Sequence, residues 1–278
     1  MSKNASVCAL LTAAVLFFSS ACDRRVVLTN GLPSIVGQVM VDYGSSGVTT
    51  QAYVTVDGTR LMPVVAINSE TLDLYDYSSS GEYMWNSAWQ SYGLHLTSGD
   101  SCMLHVYQSD GEATTAKLVI PVVPSVVYPD TSFVLKEDQP LSVTWVATTG
   151  VDRYEIKFDI YYYYGNSNYF SLDTLIISPA GTSSYTLPAT VIFPANVGSV
   201  EYGYCDIMVT AETGPNVGRE CGGNIRGKGC GYFFTSSTDE TWCEIGAPHS
   251  GMGTRHPRPE RPTAKQLVER KKALIGSQ

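Results

Sequence analysis

Histidine is scarce. Four of them in 278 residues, and no Gly-x-Ser-x-Gly elbow, leave a hydrolytic triad little to work with. Charged residues make up only 16% of the chain. After residue 22 no apolar run approaches the roughly 20 residues that a spanning helix needs, which excludes an integral helical membrane protein. No stretch between residues 35 and 237 keeps a helical period. Basic charge is short in the body: residues 23–246 hold ten Lys/Arg against 24 Asp/Glu, a net of −14. Nucleic-acid binding needs a basic face for the phosphates, so no nucleic-acid partner is expected. The segment Gly222–Lys228 comes near a phosphate-binding loop but continues with Gly229, where a Ser or Thr hydroxyl must hold magnesium. It also lies between strand-like runs, with no helix N-terminus behind it.

Metal and cofactor chemistry are equally thin, and neither is expected. His95 and His105 fall on adjacent candidate strands but lack a third ligand, while His249 and His256 lie near the C-terminus. The spacing Cys221-x8-Cys230-x12-Cys243 misses the close C-x2-C knuckle of structural zinc sites. A disulfide between Cys221 and Cys230, closing a glycine-rich loop, is the leading reading; free buried thiols and zinc remain open beside it.

What the chain does have is glycine (25), tyrosine (18) and proline (14), with 44% hydrophobic residues, enough for a packed core. Residues 1–21 read as an export signal: Lys3, then an apolar stretch from Val7 to Phe18, then Ser19, Ser20 and Ala21. Residues 22–34 follow as a tether. Short β-branched and aromatic runs then begin, at Ile35–Val41, Gln51–Val56, Arg60–Ile67, Thr71–Tyr77, Tyr92–Thr97, Cys102–Gln108 and Ala116–Val122. Asp57-Gly58 predicts a two-residue hairpin turn between two of them. Pro121 and Pro124 frame a boundary. Beyond it come Phe133–Lys136, Leu141–Ala147, Arg153–Tyr163, Tyr169–Ile177, Ser184–Leu187, Cys205–Glu212 and Cys230–Thr235. The fold class is therefore all-β: two tandem β-sandwich domains, 35–123 and 124–246.

Residues 247–278 reverse the charge, with seven Lys/Arg and two Asp/Glu, a net of +5. This basic tail is expected to be mostly disordered, ending in a short helix over 264–275. Thr263 and Gln266 make a capping-box pattern, and Ala264, Leu267, Val268, Lys271, Leu274 and Ile275 share one face. Its basic charge suits an anionic lipid surface, an acidic partner or the body itself.

Two resemblances add to this reading. The tetrad Ser19-Ser20-Ala21-Cys22 resembles the lipobox of bacterial lipoproteins, with Ser19 where Leu is usual. That resemblance implies palmitate-type acylation of Cys22 and attachment to a bacterial membrane, inner, outer or surface-facing; ordinary signal cleavage before an unmodified Cys22 is the alternative. In the second domain Trp145, the run Tyr154-Glu155-Ile156-Lys157, Ser184–Pro188 and Ile207–Ala211 resemble a fibronectin type III-like or immunoglobulin-like module. It implies a sandwich and a non-catalytic role.

Aromatics are the remaining candidates for a site. Trp85 and Trp89 fall in a loop-like segment, and Tyr161, Tyr162, Tyr163 and Tyr164 form a run that must turn about half its rings outward. The expected function is a non-catalytic binding or adhesion module of a bacterial envelope, for a protein or neutral glycan partner. A structural spacer is the alternative, and a hydrolase is less favoured.

Overall fold

The computed structural model describes residues 32–276 apart from 45–46, 60, 80–84, 109–110, 112, 166–167, 196, 219–220 and 247–262. The export signal, Cys22 and the Gly/Pro-rich part of the tail lie outside the described residues. In chain order the first strands are β1 (Ser34–Gly44), β2 (Gly47–Thr59), β3 (Val64–Ile67), β4 (Glu70–Thr71), β5 (Asp73–Ser79), β6 (Trp85–Ser91), β7 (Ser101–Tyr107) and β8 (Ala113–Val119). Then come β9 (Ser125–Tyr128), β10 (Val134–Leu135), β11 (Leu141–Val146), β12 (Arg153–Tyr164), β13 (Asn168–Pro179) and β14 (Ser184–Leu187). A single helical turn, α1 (Ala189–Ile192), precedes β15 (Val200–Thr213), β16 (Cys230–Gly246) and the C-terminal helix α2 (Ala264–Gly276).

One large sheet runs β13-β12-β15-β16-β1-β2-β6-β5, with β10 paired to the far end of β16. Two smaller sheets, β4-β3-β7-β8 and β14-β11-β9, complete the fold. Alternation along each strand of the large sheet sends one set of side chains inward. Val39, Val41, Val54, Val56, Leu104 and Val106 build a first core between the large sheet and β3/β7/β8. Val143, Trp145, Ile156, Phe158, Ile160 and Val209 build a second one with β9/β11/β14. The protein is thus all-β, two sandwiches that share their larger sheet.

The junction is β16. Its first half pairs parallel with β1, from Ser34↔Cys230 to Asp42↔Thr238. Its second half pairs antiparallel with β15, from Thr213↔Thr235 to Tyr202↔Gly246. Phe233 and Ile225 therefore sit in the first core although they follow residue 124.

Three expectations are corrected. Asp57-Gly58 does not turn the chain: β2 continues through it to Thr59, and Gly58, at φ 82°, forms a bulge against β6. The segment holding Trp85 and Trp89 is a strand, β6, whereas residues 92–97 form none. His95 therefore has no strand position beside His105, which stacks on Tyr107 at 5.7 Å.

Helix α2 forms as its capping box predicts: Thr263 N–H donates to Gln266 Oε1 (2.8 Å), and Gln266 N–H donates to Thr263 Oγ1 (3.2 Å). It does not stand free. Ala264, Leu267 and Val268 are buried on the outer face of the large sheet, against Val36, Met40, Tyr53, Tyr232 and Phe234. Burying Leu267 and Val268 is worth on the order of 3–6 kcal/mol, more than a helix of this length lacks on its own.

Candidate binding face

The outer face of the large sheet carries the polar chemistry of the molecule. Strand register orders it into rungs across β13, β12 and β15. The order starts beside α2 with Glu155, opposite Thr210, and Lys157, opposite Met208 and Leu175. Next comes Asp159, flanked by Asp173 and Asp206. Beyond it lie Tyr161, opposite Tyr204, and Tyr163, between Tyr169 and Tyr202.

At the α2 end, charge is buried in pairs. Glu212 is fully buried and accepts from Arg153 and from Lys271 Nζ at 2.5 Å. Lys271, itself only 3% exposed, also donates to Gln38 Oε1 (3.0 Å) and sits 4.5 Å above the Phe234 ring. Arg270 reaches Glu155 at 2.7 Å, and Lys272 reaches Asp57 at 2.9 Å. Three consecutive basic residues of α2 thus meet three different carboxylates of the sheet. Burial opposes the Glu212 charge, but Lys271 and Arg153 outweigh it and hold its carboxyl below the ordinary value. Burial and the neighbouring Glu212 push the Glu155 carboxyl up, against Lys271, Arg270 and Arg153.

A pocket of about 430 Å³ lies between the flank of α2 and strands β12, β13 and β15. Met40, Leu175, Met208 and Leu267 supply its apolar wall; Glu155, Lys157, Asp159, Asp173 and Arg270 supply charge. Lys157 Nζ bridges Asp173 at 3.1 Å and Asp159 at 3.8 Å. Among the described residues no cluster of three His, Cys, Asp or Glu is arranged to hold a metal ion.

At the far end five tyrosines form a platform. Tyr161 stacks on Tyr169 (centroids 5.8 Å apart), meets Tyr204 at 5.7 Å and meets Tyr163 edge-on at 5.2 Å. Tyr163 packs on Tyr202 at 4.9 Å. Tyr169 is 64% exposed, and the other four are half-buried by one another. Gly203, between Tyr202 and Tyr204, has the Tyr162 Cβ against it; a Cβ added there would come within 2.2 Å. That close approach lets the inward Tyr162 and the outward tyrosines share one stretch of sheet. A hydrogen bond with Tyr163, then burial, pushes the Tyr161 hydroxyl up to about 12.

The candidates read from sequence divide accordingly. Tyr161 and Tyr163 lie on the platform. Tyr162 is fully buried in the second core, its hydroxyl donating to Ile192 O at 2.8 Å, and Tyr164 packs partly buried against that core. Trp89 is a first-core residue whose Nε1–H donates to Ser87 Oγ. These three are corrected to structural residues: alternation and register turn them inward. Trp85 lies on β6 opposite Thr59 and Ser79, and its side chain lies outside the described residues. Cys221 and Cys230 are joined as a disulfide, with Cα atoms 4.5 Å apart. Tyr169, Tyr202 and Tyr204 were missed. Only the register of β13 and β15 against β12 reveals that they meet Tyr161 and Tyr163.

No family model matches the chain, and no curated protein matches it. Solved structures match at low similarity. The three-domain Ig ectodomain of mouse nectin-like molecule 4 is 14% identical at a TM-score of 0.26, covering 79% of this chain and 67% of that one. The fibronectin(III)-like modules of Clostridium thermocellum CbhA are 9% identical at 0.24, covering 81% and 100%. DIP-gamma Ig1+Ig2 is 9% identical at 0.22, covering 77% and 96%.

Proposed function

We propose that this chain is a non-catalytic binding module, exported and held at a bacterial membrane by a lipid on Cys22, and that a neutral glycan seats on the tyrosine platform. The observation that carries the reading is the platform itself. Five tyrosines of three adjacent strands present ring faces and hydroxyls together on the open end of the sheet. Ring faces stack on the apolar faces of sugars at small conformational cost, and the hydroxyls tolerate water at the rim. The Asp159, Asp173 and Asp206 rung next to them offers acceptors for sugar hydroxyls and repels anionic ligands. The spacer reading draws on a different observation, the sheet that both sandwiches share, which makes a stiff body.

Retention of the mature chain on insoluble neutral polysaccharides, followed by titration with soluble oligosaccharides, tests the binding. Tyr161→Ala and Tyr204→Ala should each weaken it by roughly 2 kcal/mol if they are anchors. Retention that survives both substitutions places the site elsewhere. Anchoring has its own readout: Cys22→Ser should move the protein from the membrane to the soluble fraction, and an unacylated mature N-terminus in the unaltered protein counts against it.

A further inference from the structure

We propose that Cys205 and Cys243 are a disulfide-forming pair, closing a bond across β15 and β16 inside the second core when an external disulfide is present. The two residues are direct partners in the antiparallel ladder. Partners of that kind have Cα atoms about 4.5–5.5 Å apart, inside the span that disulfides bridge. Both are fully buried in the same core, facing the same side of the sheet. Cys102 is the contrast. It is fully buried in the first core opposite Leu118, paired to no other described cysteine in the sheet. Since Cys221 and Cys230 are already joined, the pairing leaves Cys102 as the single thiol among the five described cysteines.

The chemistry is thiol–disulfide exchange. The thiolate of one cysteine attacks a sulfur of the external disulfide and expels one external thiolate, leaving a mixed disulfide. The second cysteine, deprotonated, attacks the protein sulfur and expels the other. Two protein thiols and one external disulfide become one protein disulfide and two external thiols. Both electrons reduce the external disulfide, and both protons pass to the departing thiolates. Burial raises the Cys205 thiol well above its ordinary value, so thiolate is scarce once the core has closed. The bond must therefore form before β15 and β16 seal the core, and it is shielded from reductants afterwards. In the organism the oxidant comes with export, so the natural occurrence of the bond rests on the export reading; the pairing geometry does not.

The test refolds the full mature chain from reductant against a glutathione couple, then alkylates it under denaturing conditions without reductant and maps the peptides. The expected result is one peptide pair joined through Cys205 and Cys243, two hydrogens lighter than its parts, with the alkyl label on Cys102. Label on both Cys205 and Cys243 in protein that has regained its native spectrum overturns the proposal. As a second measure, Cys221→Ser/Cys230→Ser protein isolates the pair. Its thermal midpoint should fall by roughly 10 °C on refolding in reductant, and an unchanged midpoint argues against the bond. The same peptide map on protein from its native host separates the two ideas. A pair linked after refolding but labelled in native material upholds the pairing and removes export.

Discussion

The outer face of the large sheet is covered at one end and open at the other, and the two ends solve the same problem differently. Helix α2, lying over β16, β1 and β2 and reaching the near ends of β12 and β15, excludes water, and the carboxylates it meets are paired: Glu212 has Arg153 and Lys271, Glu155 has Arg270, Asp57 has Lys272. Over the far parts of β13, β12 and β15 no element among the described residues covers the face, and the sheet hides its apolar surface under tyrosines whose rings shield one another. Buried charge is tolerated only in fixed pairs, which makes the covered end specific for one helix. Amphipathic rings need no fixed partner, which leaves the open end free to accept one.

Breaking the covered end should have the largest effect. Lys271→Ala strips the buried Glu212 of one of its two cations, and a loss of about 3–5 kcal/mol in denaturant unfolding is expected. A smaller loss, about 1–3 kcal/mol, is expected for Arg270→Ala, because Glu155 is left buried but can take up a proton. Lys272→Ala should cost about as much as Arg270→Ala, because the carboxylates they leave behind, Asp57 and Glu155, are equally buried, each 9% exposed. If the three variants unfold at one midpoint, the covered end is not graded by burial as described. The open end should behave in the opposite sense: Tyr169→Ala should change stability by less than about 0.5 kcal/mol while lowering retention on the glycan.

The pH dependence of stability sharpens the same contrast, because the two buried carboxylates shift in opposite directions. Glu155 lies above its ordinary value of 4.5, so it binds its proton more tightly folded than unfolded, and its contribution grows as pH falls through its raised value. Glu212 lies below 4.5; its contribution is complete above that value and is lost as pH falls through its depressed one. The thermal midpoint should hold or rise slightly from pH 7 to about 5 and drop only below about 4. Glu155→Gln should remove the rise and keep the drop. A steady fall beginning at neutral pH contradicts the arrangement of these groups.

Much of this was legible where a signal is local. Alternation located β12, β13, β14 and β15, and Thr263 with Gln266 announced α2. Asp57-Gly58 misled because a positive φ at glycine serves a bulge as readily as a turn, and only pairing of β2 with both β1 and β6 decides between them. The sequence of β6 is polar enough to read as a loop, although Trp89 in it faces the first core. Docking of α2 was foreshadowed by opposite charges on tail and body, but not its place, since Glu212, Glu155 and Asp57 come together only through strand order. The platform was half legible for the same reason. The run Tyr161–Tyr164 shows that some rings face outward, but not that Tyr202, Tyr204 and Tyr169 join them.

The parallel pairing of β1 with β16 also fixes how the molecule answers a mechanical pull. Strand β1 enters at Ser34, lies between β2 and β16, and is bonded to both along its length. Tension applied at Ser34 along the strand loads those hydrogen bonds together in shear, instead of opening them one after another. Because β16 continues into the second sandwich, the same tension passes onward through β15 and β12. Resistance to such a force is set by the rate of unfolding and not by equilibrium stability. Pulled from Ser34, the protein is therefore gripped along the whole length of its first strand.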